Sequence, residues 1–362
     1  MENINDNIYI INKSNVKYNK TRIFIGQKFK MFILFIILII LLIIYFYFSK
    51  NNKYIISEVK QNIGNFKIDV KPEKFQTEIL DEIKYRLIGP SLMSKKDLYF
   101  INGIIRKYRP KKLLEIGVCS GAVSATILNA IKDIKGSKLY SCDLEKKHYL
   151  NETFEVGYIA KKNFPELLYK WKLYVGNTTA AFIEEIGGNI DFVFIDTSHV
   201  MPGEVLNMIE IFPFLKKNAI IVFDDIHHHI LNNIFNLKYF HPCNNLLFSV
   251  LRGKKIIMNQ KNNTFFNFTK VGAVILDNNQ EDYFFEYFYL LSNNWSYMPN
   301  KFEIEIIRKI VKKYYKPFFL SMFDRAVELN YNALKKQKLL KKDYILYTFV
   351  DSKRKKPHYK LL

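Results

Sequence analysis

Residues 112–131 read KLLEIGVCSGAVSATILNAI, and the fold is decided by this stretch. Its first five residues, KLLEI, are a short apolar run of strand length. Gly117 and Gly121 then frame a tight turn, because glycine takes up positive φ without steric cost and lets backbone approach a ligand closely. The remaining AVSATILNAI is apolar nearly all round, the pattern of a buried helix whose first N–H groups face the turn. Strand, glycine turn and helix in that order make the first half of a parallel crossover unit. The spacing E-x-G-x-x-x-G departs from the G-x-G-x-x-G of a dinucleotide turn, and no G-K-[ST] follows that would cradle phosphates. Taken alone, the turn also reads as plain turn chemistry.

Outward from this unit, further short apolar runs alternate with stretches long enough for helices: KLYSC (138–142), WKLYV (171–175), DFVFI (191–195), AIIVF (219–223), KKIIM (254–258) and GAVIL (272–276). Upstream, Leu98, Ile101, Ile104 and Ile105 recur at helical spacing over 94–108, with Ser94 a candidate N-cap and Pro110 a stop. The alternation predicts an α/β fold with a Rossmann-like, doubly wound, seven-stranded sheet, mainly parallel. The last two runs, joined by the polar NQKNNTFFNFTK, predict an antiparallel C-terminal hairpin at its edge.

In such sheets ligands bind beyond the carboxyl ends of the strands, so the residues just after each run carry the chemistry. Asp143 ends the second strand, where a carboxylate can accept both hydroxyls of a ribose; a helix N-cap is the plainer reading. Gly176-Asn177-Thr178-Thr179 follows the third, with small polar groups suited to a purine edge or to a second N-cap. Asp196 ends the fourth strand, and Asp224 with Asp225 the fifth. Three converging carboxylates repel unless protons or a cation compensate them, and all-oxygen ligation suits Mg²⁺ or Ca²⁺. A metal at Asp196, Asp224 and Asp225 and a metal-free hydrogen-bonded cluster both remain open. His199, three residues after Asp196, offers an imidazole suited to deprotonating an alcohol or phenol, or a structural partner for the same carboxylates. His227, His228 and His229 cannot all reach one site and read as a polar loop.

The chain has 362 residues, with 55 Lys+Arg against 34 Asp+Glu and a formal net charge of +21. That charge raises a nucleic-acid reading, and its distribution argues against one. Residues 1–110 carry 19 basic and 9 acidic groups and residues 301–362 carry 17 and 6, whereas 111–230, which holds the candidate site, carries 13 and 15. The apolar share of 49% excludes a disordered chain, and three cysteines without a C-x-x-C pair exclude a disulfide framework or a zinc knuckle. Residues 31–48, MFILFIILIILLIIYFYF, hold eighteen uncharged residues between Lys30 and Lys50 and predict one uncleaved transmembrane helix. Six Lys/Arg in 12–30 against four in 50–68 place the N-terminus weakly on the cytoplasmic side. The expected organisation is a basic tail (1–30), a membrane helix (31–48), a linker (49–75), a catalytic domain (76–280) and a basic, aromatic-rich helical extension (281–362) that covers the sheet or faces a membrane.

Taken together, the glycine turn, the acid ending strand two, the Gly-Asn after strand three, and the block FIDTSHVMPGEVLNMIEIFPFLKKNAIIVFDDI (194–226) resemble class I S-adenosylmethionine-dependent methyltransferases, specifically methyltransferase family 24 with its catechol and macrocin O-methyltransferase relatives. The resemblance spans roughly residues 90–280. It implies that Glu115, Gly117, Val118, Ser120 and Gly121 hold the methionine part of S-adenosylmethionine, Asp143 the ribose, and Asn177 with Thr178 the adenine. It further implies catalysis by His199 and Asp196 and, as in catechol-type enzymes, a divalent metal at Asp196, Asp224 and Asp225. Family members often differ at the position of Asp224. The implied activity is methylation of a hydroxyl on a small molecule, sugar or lipid-linked glycan by a membrane-anchored enzyme. Cytosolic supply of the methyl donor favours a cytoplasmic catalytic domain over the charge bias. Rival readings are a nucleic-acid methyltransferase, disfavoured by the lack of N-P-P-Y or D-P-P-Y, a metal-dependent hydroxylase or hydrolase on the same sheet, and a non-catalytic binding or scaffold module.

Overall fold

The structure is a computed structural model; it describes residues 35–40, 42–43, 93, 95–148, 152–227, 229, 241–257, 270–337 and 339–340. Met1–Gly64 and Asn65–Leu362 are two separate compact units. In the second unit, helix α1 (Lys95–Tyr108) leads into β1 (Lys112–Ile116), α2 (Ala122–Ile131), β2 (Lys138–Asp143), α3 (Tyr158–Asn163), β3 (Trp171–Val175), α4 (Ile183–Ile186), β4 (Ile190–Ile195), α5 (Gly203–Ile211), β5 (Leu215–Phe223), α6 (Asn244–Val250), β6 (Gly253–Ile257) and β7 (Gly272–Leu276). The chain continues into α7 (Phe284–Tyr289), α8 (Lys301–Tyr314) and α9 (Pro317–Lys336).

Among the described residues the strands form one seven-stranded sheet in the order β3-β2-β1-β4-β5-β7-β6. Strands β1 to β5 are parallel, while β7 runs antiparallel between β5 and β6. The predicted hairpin therefore docks through its second strand, with β6 at the edge. Strand β5 starts earlier than the apolar pattern predicts: Leu215 pairs with Ile190, and a register shift follows before Phe192 meets Ile220. The intervening Lys216, Lys217 and Asn218 are exposed, so hydrophobicity cannot mark this part of the strand. The candidate N-cap Ser94 lies outside the described residues.

Both faces of the sheet are covered, and the period-two alternation of β4 shows how. Phe192 and Phe194 pack with α1 and α2 through Ile104, Ile105, Ile127 and Leu128, whereas Val193 and Ile195 point to the opposite core with Val205, Met208 and Ile209 of α5. The aromatic-rich C-terminal stretch supplies part of that second core. Phe212 stacks on Tyr287 with centroids 4.9 Å apart, and Phe288, Tyr315 and Phe319 interleave behind it. Asn300 and Glu303 form a reciprocal capping box that starts α8 beneath this layer.

The transmembrane helix predicted at 31–48 is corrected by the structure. Within that stretch 35–40 and 42–43 are described and helical. No helix among the described residues is long and apolar enough to cross a membrane. The single-pass membrane location expected from this segment is corrected with it.

Candidate active site

At the carboxyl edge the hydrogen-bond ladder runs on past the strand ends. Gly117 N donates to Cys142 O, Gly176 N to Asp143 O and Asp196 N to Ile116 O, each at 2.9 Å, and Asp224 N donates to Ile195 O at 3.1 Å. These bonds align the post-strand residues along one rim.

The β1–α2 turn is built by its glycines and by Asp143. Gly117 has φ +87°, and a Cβ there would lie 1.8 Å from the carbonyl oxygen of Asp196. The turn and the loop after β4 therefore touch backbone to backbone. Gly121 has φ +85° and packs in the same way against Gly157. Asp143 Oδ2 accepts from the amides of Val118 and Cys119, both at 2.9 Å, and Oδ1 accepts from Glu145 N at 2.8 Å. Asp143 thus serves as the turn's backbone anchor and keeps acceptor capacity on Oδ1. Ser120 is buried, and its carbonyl accepts from Ile159 N at 2.9 Å.

Glu115 is fully buried. Its Oε2 accepts from Ser124 Oγ (2.7 Å) and Ser141 Oγ (2.6 Å), and Trp171 Nε1 donates to Ser141 Oγ at 2.8 Å, so one carboxylate ties β1, β2, β3 and α2 together. Burial pushes its pKa up to about 7 against the pull of the two serines. Its Oε1 is a buried acceptor without a hydrogen-bond partner, a site for a donor such as an ammonium. Beyond β3, Asn177 Oδ1 accepts from Thr178 N at 2.9 Å, and Thr178 Oγ1 lies 3.4 Å from Glu210 Oε1 of α5; both residues are half-buried.

The carboxylate and histidine cluster lies next to this turn. His199 Nε2 is 3.3 Å from Asp196 Oδ1 and 3.4 Å from Asp225 Oδ2; its Nδ1 is 3.4 Å from Asn244 Nδ2 and 3.7 Å from Glu204 Oε1. An imidazolium here would have carboxylates on both sides. His199 and Asp225 hold φ +61° and +50°, a conformation that non-glycine residues keep only where their surroundings impose it. Glu204, fully buried at the start of α5, imposes it on His199: Oε1 accepts the His199 amide and Thr197 Oγ1 (3.0 Å), and Oε2 accepts Cys243 Sγ at 2.6 Å. Asn244 Nδ2 donates to Asp224 O at 2.7 Å, holding its amide in position beside the imidazole. His227 lies 3.9 Å from Asp225, and His228 falls outside the described residues.

Asp224 and Asp225 face a group that spacing along the sequence does not reveal. Lys270, two residues before β7, places Nζ 2.8 Å from Asp224 Oδ2 and 3.7 Å from Asp225 Oδ1. Burial works against its charge, but Asp224, Asp225, Asp196 and Asp97 outweigh burial and raise its pKa. Burial and the adjacent Asp225 push Asp224 well above the usual carboxylate range, opposed by Lys270. Burial likewise raises Asp196. A hard divalent cation needs about six oxygens at about 2.0–2.6 Å. Here the ammonium already takes Asp224 Oδ2, and among the described residues no group of three or more His, Cys, Asp or Glu is arranged to hold a metal. The predicted metal site at Asp196, Asp224 and Asp225 is faced by the Lys270 ammonium, while Asp224 Oδ1 is a buried acceptor without a hydrogen-bond partner. Lys270, Glu204 and Asn244 are the members that sequence reasoning missed.

Residues 114–226, from β1 to just past β5, match the model of methyltransferase family 24, described as a methyltransferase domain. The chain carries a methyltransferase domain. Solved structures similar to it include the O-methyltransferase TomG from Streptomyces achromogenes in complex with S-adenosylmethionine (13% identity, 58% of this chain and 92% of that one, TM-score 0.43). Also similar are the Bacillus cereus O-methyltransferase in complex with S-adenosylhomocysteine (13%, 57% and 93%, 0.44) and the Podospora anserina methyltransferase PaMTH1 bound to S-adenosylhomocysteine (14%, 63% and 96%, 0.41). No curated protein sequence matches the chain. Within the methyltransferase domain, the glycine turn and the His199 cluster lie on adjacent strands β1 and β4, in backbone contact.

Proposed function

We propose that the chain uses S-adenosylmethionine to methylate a hydroxyl oxygen of a small molecule or sugar. The observation that carries this reading is the contact between turn and cluster: the glycine turn abuts the carbonyl of Asp196, and three residues on, His199 Nε2 faces Asp196 and Asp225. A methyl donor held at the turn would have the base beside it.

Gly117, Val118, Ser120 and Gly121 form the donor's cradle, with Asp143 toward the ribose and Asn177 and Thr178 toward the purine. Glu115 keeps the cradle in shape through Ser124 and Ser141 and offers Oε1 to the donor's ammonium end. When bound, the donor supplies a sulfonium methyl open to in-line attack by an oxygen lone pair. His199 takes the hydroxyl proton as the oxygen attacks, and Asp196 and Asp225 offset the charge that the ring acquires. Glu204 and Asn244 hold the imidazole in place, so the proton acceptor needs little reorganisation.

Calorimetry of the full chain with S-adenosylmethionine tests the donor half of this reading. One site per chain is expected, weakened about 10- to 100-fold in Asp143→Asn, the worth of one charge-assisted hydrogen bond. Absence of binding to the folded wild type would sink the proposal.

A further inference from the structure

Lys270 contacts two of the carboxylates that a metal at this rim would have to bind. Its carbonyl accepts from Ile226 N at 2.9 Å, which fixes its backbone to the segment directly after Asp225, and its side chain then turns back onto Asp224 and Asp225. Asp224 is 2% exposed and Asp225 10%, so the pair is largely withdrawn from water and its compensation has to come from within. Met93 Sδ, 3.4 Å from Nζ, closes a further side of the ammonium with a soft, weak acceptor. A divalent ion bound through Asp224 Oδ2 would compete with Nζ for that oxygen and be repelled by its charge.

We propose that Lys270 is the resident cation of the acidic rim, and that this chain carries out its chemistry without a bound divalent metal. Resting on the methyl-transfer reading, a consequence for the acceptor follows. A metal can select an acceptor by chelating two of its oxygens, whereas a lysine-compensated rim makes no such demand, so an acceptor with a single hydroxyl suffices.

The test is a titration of the full-length protein with Mn²⁺ alone, followed by electron paramagnetic resonance of the free ion, which needs neither donor nor acceptor. The wild type is expected to show no stoichiometric Mn²⁺ site, and Lys270→Met, which keeps the length and removes the charge, to gain one with affinity raised by about tenfold or more. One Mn²⁺ per wild-type chain, lost in Asp225→Asn, would overturn the proposal, and so would a folded Lys270→Met that binds no better than wild type. Should Lys270→Met fail to fold, the wild-type titration decides by itself. Because donor calorimetry is read separately, failure of the resident-cation proposal and failure of the methyl-transfer reading are told apart.

Discussion

Replacing Gly117 by alanine probes the junction on which the proposed site depends, and Gly136 supplies an internal control. Both residues have positive φ, +87° and +73°, so a Cβ at either costs about 1–2 kcal/mol of backbone strain. At Gly136 nothing lies within 4 Å of the added carbon. At Gly117 the Cβ would sit 1.8 Å from the Asp196 carbonyl oxygen and 2.8 Å from its carbon. Backbone must yield by more than about 1 Å, and overpacking of this kind adds about 1–3 kcal/mol. The expected loss is therefore about 1–2 kcal/mol for Gly136→Ala and about 2–5 kcal/mol for Gly117→Ala, read from urea unfolding at fixed pH. Since the displaced carbonyl belongs to Asp196, Gly117→Ala should also weaken donor binding while Gly136→Ala leaves it unchanged. Equal stability of the two variants would refute the claim that turn and catalytic loop are in backbone contact.

Glu210 gives a pH prediction. Burial, aided by Glu303 and opposed by the Ala180 amide, Asn207 and Thr178, raises its pKa from 4.5 to about 8. The folded state then binds the proton more tightly than the unfolded chain, so this contribution to stability is fully present below about pH 4.5 and is lost as pH rises toward 8, by about 4 kcal/mol at most. Glu210→Gln, which cannot ionise, should flatten urea-derived stability between pH 5 and pH 8; parallel profiles for wild type and variant would contradict the assignment.

The sheet was legible because its five parallel strands read as short apolar runs, and the glycines at 117 and 121 fix where the first of them turns. The start of β5 was not, because Lys216, Lys217 and Asn218 face solvent within the register shift between the Leu215 and Ile220 pairings. At the site, Asp196, His199 and Asp225 could be placed together from their positions after β4 and β5. Lys270 could not: it stands at the end of a polar connection, and only the antiparallel insertion of β7 beside β5 returns it to Asp224. Glu204 reads in sequence as an ordinary first-turn acid of a helix, and its burial beneath His199 follows from the path of the 197–203 loop.

The central claim, methyl transfer to oxygen with His199 as proton acceptor, is met most directly by label transfer. Full-length protein is incubated with methyl-labelled S-adenosylmethionine and the small-molecule fraction of a cell extract, and labelled products are resolved. A labelled methyl ether is expected, its rate of formation falling about 10²- to 10⁴-fold in His199→Gln while donor binding persists. Label appearing on nitrogen or carbon, undiminished turnover in His199→Gln, or no labelled product from protein that binds the donor would contradict it.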